Sequence, residues 1–288
     1  LLMALDRLAC RAATVVRAVS PSVRSAAVSA GLAKPEKIVV PASGSANGID
    51  LDRFHRRRLD PAAADRLRRR YGIPPGALVV GFAGRLVPDK GIAELAAAWQ
   101  ILRDRFPALY LLLAGDTEPH DPLPAALVSR LDGDPRVRRT GWVSDMPEHY
   151  LLMDVCLLPS HREGLPYAAL EAAAMEVPVV GFAVSGVVDA VEDGSTGLLV
   201  PPGDSAALAQ AAGGLLDDPG ERCRLGRRAR RRAAALYPPE PLWAAIYQHY
   251  VGRPPISANL AREANRIVAQ TLSLPRRDSS RRLRSGLD

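Results

Sequence analysis

Two carboxylates, Glu163 and Glu171, stand eight residues apart in the stretch Ser160-His161-Arg162-Glu163-Gly164-Leu165-Pro166-Tyr167-Ala168-Ala169-Leu170-Glu171. The first falls in a turn containing Gly and Pro, and the second two turns into a helix expected to open at Pro166. Proline at a first helical position sacrifices no useful donor. The backbone N–H groups near Gly164 and Leu165 have no partner inside such a helix and can face a phosphate or sugar oxygen. Carboxylates beside them accept hydrogen bonds from hydroxyl groups. Two readings are open on spacing alone. The pair holds a hydroxyl-bearing ligand, or Glu163 merely complements the helix dipole and Glu171 is a solvated helix residue.

A second group of charges lies upstream, in Gly81-Phe82-Ala83-Gly84-Arg85-Leu86-Val87-Pro88-Asp89-Lys90-Gly91. Its glycines fit neither a dinucleotide fingerprint nor a P-loop. An apolar run here delivers an Arg and then a Lys at the mouth of a helix. A guanidinium fork and an ammonium point charge suit a diphosphate. Of 38 basic residues only Lys34, Lys37 and Lys90 are lysines, so a lysine at this place points to a wanted ammonium. The alternative is that Asp89 caps the helix and Lys90 faces water. A third loop, Val184 to Gly197, reads equally as a plain connector or as a lining for a base or sugar.

The elements that must position these groups form a regular alternation from about Leu78. Short apolar runs at 78–83, 109–114, 137–142, 155–158, 179–182 and 197–200 read as strands, separated by helical stretches at 92–106, 123–131, 146–153, 167–176 and 205–216. Alternation of this kind makes a parallel α/β sheet wound on both sides, and near-continuous apolarity in the strands fits helices on both faces. Ligands of such sheets bind at the carboxyl ends of the strands. Before this unit, residues 52–72 read as a polar, Arg-rich helix. The cluster Ser43-Gly44-Ser45-Ala46-Asn47-Gly48 reads as a linker or ligand loop. Arg-rich helices run to about Leu236, and a last helix is expected at 242–250.

Composition bounds the classes. The chain has 288 residues, 48% hydrophobic and 24% charged, which fits a folded globular protein. No apolar run approaches a membrane span. Cys10, Cys156 and Cys223 are widely spaced and the five histidines show no ligand spacing. Reduced thiols in a cytoplasmic, metal-free protein are therefore expected. The net charge of +7 is concentrated in residues 253–288, where eight arginines face three acidic residues. This stretch reads as a disordered tail of a kind that can touch anionic lipid. Few aromatics accompany the arginines of 227–232, which argues against nucleic acid. The first residues read as the middle of a helix, so the chain is expected to be a fragment.

Several motifs in order resemble the C-terminal half of glycosyltransferase family 4, the retaining nucleotide-sugar transferases with two Rossmann-like domains (the GT-B fold). They are Gly84-Arg85-Leu86 with Asp89-Lys90-Gly91, Ala114-Gly115-Asp116, Gly141-Trp142-Val143 and Pro159-Ser160. Glu163-Gly164-Leu165-Pro166 with Glu171, Pro178-Val179-Val180, and Gly194 through Val200 to Asp204 complete the series. The resemblance implies residues 1–50 as a remnant of the acceptor domain with its linker and 51–73 as a connecting helix. It implies a donor-binding domain over 74–236, a crossover helix over 237–252, and the basic tail over 253–288. It places Arg85 and Lys90 on the donor diphosphate, Glu171 on the ribose, and Glu163 with the backbone of Gly164 and Leu165 on the sugar and its phosphate, with Gly84 also among the donor-binding residues. Arg85, Lys90 and Glu163 would serve catalysis without metal or cofactor. The implied activity is transfer of a hexose from a nucleotide diphosphate sugar to a glycan or lipid-linked acceptor, in the cytoplasm or at the inner membrane face. The alternative is a non-catalytic nucleotide-sugar-binding fragment, or one partner of a split enzyme. Because the N-terminal domain is largely absent, the chain by itself is expected to be inactive.

Overall fold

Helix α1 (Leu2–Ala12) leads into strand β1 (Val16–Arg17), helix α2 (Pro21–Ser29) and strand β2 (Ile38–Val39), and the two short strands pair in parallel. The computed structural model describes residues 2–44 and 47–251. Ser45 and Ala46 of the expected linker loop, and all of the basic tail, lie outside the described residues. Ser20 caps α2, its hydroxyl accepting the Val23 N–H, and Pro21 fills the first helical position.

The expected helix over 52–72 is shorter. Its first part is a 3-10 turn at Arg56–Arg58, and only α3 (Ala63–Tyr71) is α-helical. Pro61 turns Asp60 away from helical backbone, and the Asp60 carboxylate takes the Ala62 N–H at 2.9 Å, a local turn that competes with helix.

The alternating unit follows in chain order. Strand β3 (Val79–Ala83) precedes α4 (Ile92–Arg105), β4 (Tyr110–Ala114), α5 (Ala125–Asp132), β5 (Val137–Gly141), α6 (Pro147–Tyr150), β6 (Val155–Leu158) and α7 (Tyr167–Ala174). Then come β7 (Val179–Phe182), α8 (Val187–Ala190), β8 (Gly197–Val200), α9 (Ser205–Asp217), α10 (Pro219–Leu236) and α11 (Pro239–Val251). Each expected strand is found within one residue at either end. Three local expectations are corrected. The stretch 146–153 holds only one α turn, because Leu152 and Met153 bond back three residues to His149 and Tyr150 as the chain bends into β6. The loop 184–197 contains a short helix. Pro166 has extended backbone (φ −71°, ψ 117°) and caps α7 instead of opening it.

The six strands run parallel in the order β5-β4-β3-β6-β7-β8. From β3 the chain builds outward through β4 and β5, then returns to the other side of β3 with β6. The order in which strands are added therefore reverses between β3 and β6, which opens a crevice at their carboxyl ends. Alternate residues feed two cores. Val79, Cys156 and Leu158 join one, while Val80, Phe82, Val155 and Leu157 join the other. Both faces of the inner strands are covered, so these are apolar throughout, whereas β5 at the sheet edge carries the part-buried Arg138, Arg139 and Thr140 in place of the expected apolar run.

Residues up to Leu242 make one compact unit. In the second unit, which begins at Trp243, Tyr247 and Tyr250 are exposed while Trp243 is half-buried. Among the described residues no helix is long and apolar enough to cross a membrane.

Candidate functional site

The reversal point carries the first group of candidate residues. After β3 the chain makes a 3-10 turn at Pro88–Lys90 and passes through Gly91, whose φ is +67°. A Cβ there would stand 1.9 Å from the Pro159 carbonyl oxygen, so only glycine lets this turn press against the end of β6. The approach places the Lys90 ammonium 2.6 Å from Glu163 Oε1. The same oxygen accepts the Ser160 hydroxyl at 2.8 Å, and Ser160 is fully buried. The side chains of Lys90 and Glu163 are only 23% and 10% exposed, so the solvated reading of Lys90 is overturned. Asp89 does not cap α4 either. Its carboxylate holds Arg162 at 2.6 and 2.9 Å, and its carbonyl takes the His161 N–H. Glu163 Oε2 has no partner among the described residues, and neither do the N–H groups of Gly164 and Leu165. One carboxylate oxygen and two backbone donors are thus available at the mouth of the crevice.

Loop 184–197 braces this turn. Gly186, at φ +78°, lies so close that a Cβ would sit 2.6 Å from the carbonyl oxygens of both Glu163 and Gly164. The Gly186 N–H bonds to Ser22 Oγ at 2.7 Å, and the Ser22 N–H and hydroxyl both donate to the Asp189 carboxylate. The start of α2 is therefore locked to α8, directly behind the Glu163 turn.

Glu171 sits on the second turn of α7, half-buried, and Oε2 accepts the Tyr150 hydroxyl at 2.9 Å. The hydroxyl also lies 3.3 Å from the Ala168 carbonyl. Burial raises the Glu171 carboxyl above the ordinary range, against the lowering effects of the Tyr150 hydrogen bond and of nearby Arg53. Burial likewise pushes the Tyr150 phenol far up and the Cys156 thiol up to about 12, so both stay protonated. The reading of Glu171 as a solvated helix residue does not hold. Phe54, at the end of the segment after the linker loop, packs edge-on to Tyr150 with ring centroids 6.4 Å apart.

Arg85 is arranged differently. It follows Gly84, whose N–H bonds to the Ala114 carbonyl, and its guanidinium meets Glu118 at 3.0 Å. The structure brings Lys90 and Glu163 into contact, whereas Arg85 pairs across β4. Trp142, just beyond β5, is 74% exposed, its N–H held by Asp116 at 3.2 Å. Sequence reasoning gave no role to Tyr150 or Ser160. The signal available was a polar group next to an apolar strand, since buried hydroxyls need a partner. Several α10 arginines bond carbonyls within the fold. Arg222 holds Leu215 and Leu216, and Arg230 holds Phe54. Among the described residues no group of three or more His, Cys, Asp or Glu is placed to hold a metal ion.

Known proteins resemble this chain in sequence and in fold. The family model "Glycosyl transferases group 1" matches residues 77–218. The capsular polysaccharide biosynthesis glycosyltransferase CapM of Staphylococcus aureus is 32% identical over 247 residues, covering 85% of this chain and 63% of the relative. The D-inositol 3-phosphate glycosyltransferase of Salinispora arenicola is 37% identical over 204 residues, covering 65% and 44%. The chain thus spans about half to two thirds of the length of these curated relatives. The crystal structure of Anabaena Alr3699/HepE in complex with UDP-glucose superposes with a TM-score of 0.71 at 23% identity, covering 94% of this chain and 67% of that one. Residues 77–218 thus carry the glycosyl transferases group 1 domain, and the chain has the fold of the GT-B glycosyltransferases.

Proposed function

We propose that this chain carries the donor-binding half of a retaining glycosyltransferase that moves a hexose from a nucleotide diphosphate sugar to a glycan or lipid-linked acceptor. The observation that carries the reading is the Lys90–Ser160–Glu163 cluster at the β3/β6 crevice, with the free N–H groups of Gly164 and Leu165 beside it. Relatives above 30% identity named for capsular polysaccharide biosynthesis and for an inositol phosphate glycosyltransferase support sugar transfer. The setting proposed is the cytoplasm, at or near the inner membrane face.

In the reaction, the bond from the anomeric carbon to the diphosphate oxygen breaks and its electron pair leaves with the diphosphate. Positive charge develops on the sugar and negative charge on the leaving group. Lys90 and Arg85 neutralise the latter, and preorganised charge of this kind is the largest catalytic contribution available to such a site. The acceptor hydroxyl forms its bond on the same face and gives up its proton to the departing phosphate. No protein nucleophile is required. Glu163, held at Oε1 by Lys90 and Ser160, offers Oε2 to a sugar hydroxyl, and Glu171 takes the ribose. We further propose that transfer needs the additional sequence that the longer relatives carry.

Calorimetry with a panel of nucleotide sugars and the matching free nucleotides tests the sugar assignment. One sugar nucleotide is expected to bind more tightly than its nucleotide, and Glu163→Gln is expected to remove that gain while leaving nucleotide affinity in place. An unchanged gain in Glu163→Gln would remove Glu163 from the sugar site.

A further inference from the structure

We propose that Tyr150 is a positioning residue for donor binding: its hydroxyl holds Glu171 Oε2 so that the other carboxylate oxygen stays aimed at the ribose hydroxyls. This rests on the reading that Glu171 takes the ribose. The phenol is entirely buried on the single turn of α6, in the short connection between β5 and β6. A buried tyrosine hydroxyl requires a partner, and this one donates to Glu171 at 2.9 Å. The ring is itself fixed by Phe54, so the hydrogen bond holds the carboxylate before any ligand arrives. Order established in advance is order the ligand does not have to impose.

Charge state gives the contact a second consequence. The ionisable groups facing Glu171 are Tyr150 from α6, Cys156 from β6 and Arg53 from the segment before α3. The first two are neutral, because burial keeps both protonated. Arg53 is shared with Asp145, at 2.9 Å. Against the burial that raises the Glu171 carboxyl, the phenol is therefore the direct hydrogen-bond donor that favours the ionised form. A protonated Glu171 would lose an acceptor that two ribose hydroxyls compete for.

The test compares UDP and GDP with their 3′-deoxyribose counterparts by calorimetry at several pH values, in wild type, Tyr150→Phe, Glu171→Gln and the double variant. Tyr150→Phe keeps the ring and its packing, and thermal melting checks that it folds. The wild type is expected to prefer the ribonucleotide, and Tyr150→Phe is expected to cut that preference about tenfold, as for loss of a hydrogen bond to a charged group. The lost preference should return as pH rises and Glu171 ionises, and Tyr150→Phe should have no further effect in the Glu171→Gln background. A wild-type preference retained by Tyr150→Phe with the same pH profile would overturn the positioning role and leave Glu171 on the ribose. A wild type that does not distinguish ribose from 3′-deoxyribose, matched by Glu171→Gln, would overturn both. Should Tyr150→Phe melt cooperatively far below wild type, the deoxyribose comparison at low temperature still reads the preference, because both ligands see the same protein.

Discussion

The two arms of the crevice hold the same kinds of charge in different states. On the β6 arm, Lys90 and Glu163 are 23% and 10% exposed and share Ser160. On the β4 arm, Arg85 and Glu118 are 65% and 36% exposed and meet at 3.0 Å. An exposed pair contributes little to stability and is screened by salt. A largely buried one keeps its geometry and costs more to break. The β6 arm is thus a preorganised seat. The β4 arm is an exposed cation, whose carboxylate partner the incoming diphosphate of the proposed function would displace.

The largest test of that contrast is Lys90→Ala. It is expected to weaken UDP or GDP binding by about 1–3 kcal/mol, as for loss of a charged hydrogen bond, and to lower the melting temperature because Glu163 is left without its ammonium. Arg85→Ala is expected to weaken binding toward the lower end of about 1–3 kcal/mol without changing the melting temperature. Raising ionic strength should erode the Arg85 contribution more than the Lys90 one. Equal salt sensitivity of the two would break the comparison.

A control lies away from both arms. His149 is buried beside Tyr71, whose hydroxyl stands 2.9 Å from Nε2, and burial lowers its pKa. The unfolded chain therefore takes up that proton first as pH falls below about 6.5. The folded state does not match it, so stability falls below that pH and is unaffected above it. Melting curves of His149→Gln should lack this part of the acid-side decline, and an identical decline in both proteins would contradict it. The smallest expected effect is that of Glu118→Gln, which frees Arg85. Nucleotide affinity should rise by about 0.2–1 kcal/mol, the range of an exposed pair, with no change in melting. A loss of affinity on calorimetry would mean that Glu118 assists the ligand and does not compete with it.

The inner strands were legible because they are buried on both faces and read as unbroken apolar runs between turn formers, while β5 at the edge shows only Val137 as its buried apolar residue. The six runs from Val79 to Val200 left little freedom in placing them. The parallel, doubly wound class followed from strand–helix alternation, but the order of the strands was seen only in the structure. The extent of α3 was not legible, since Arg-rich spacing looks helical until Asp60 and Pro61 divert the backbone. Of the site, the motif residues were visible as types and spacings, but their partners were not. Nothing local in sequence says that Gly91 lets Lys90 reach Glu163, or that Arg85 turns to Glu118. Tyr150 was hidden for a related reason. Its ring suits an apolar segment, and its hydroxyl finds Glu171 only when α6 and α7 pack on the same face.

The most direct measurement compares a nucleoside diphosphate with its nucleoside in wild type and Lys90→Ala by calorimetry. The β3/β6 crevice is predicted to bind the diphosphate about tenfold or more tightly than the nucleoside, about 1.4 kcal/mol or more, with Lys90→Ala removing most of that difference and leaving nucleoside affinity unchanged. A difference that survives intact in Lys90→Ala would contradict the assignment of this crevice to the donor diphosphate.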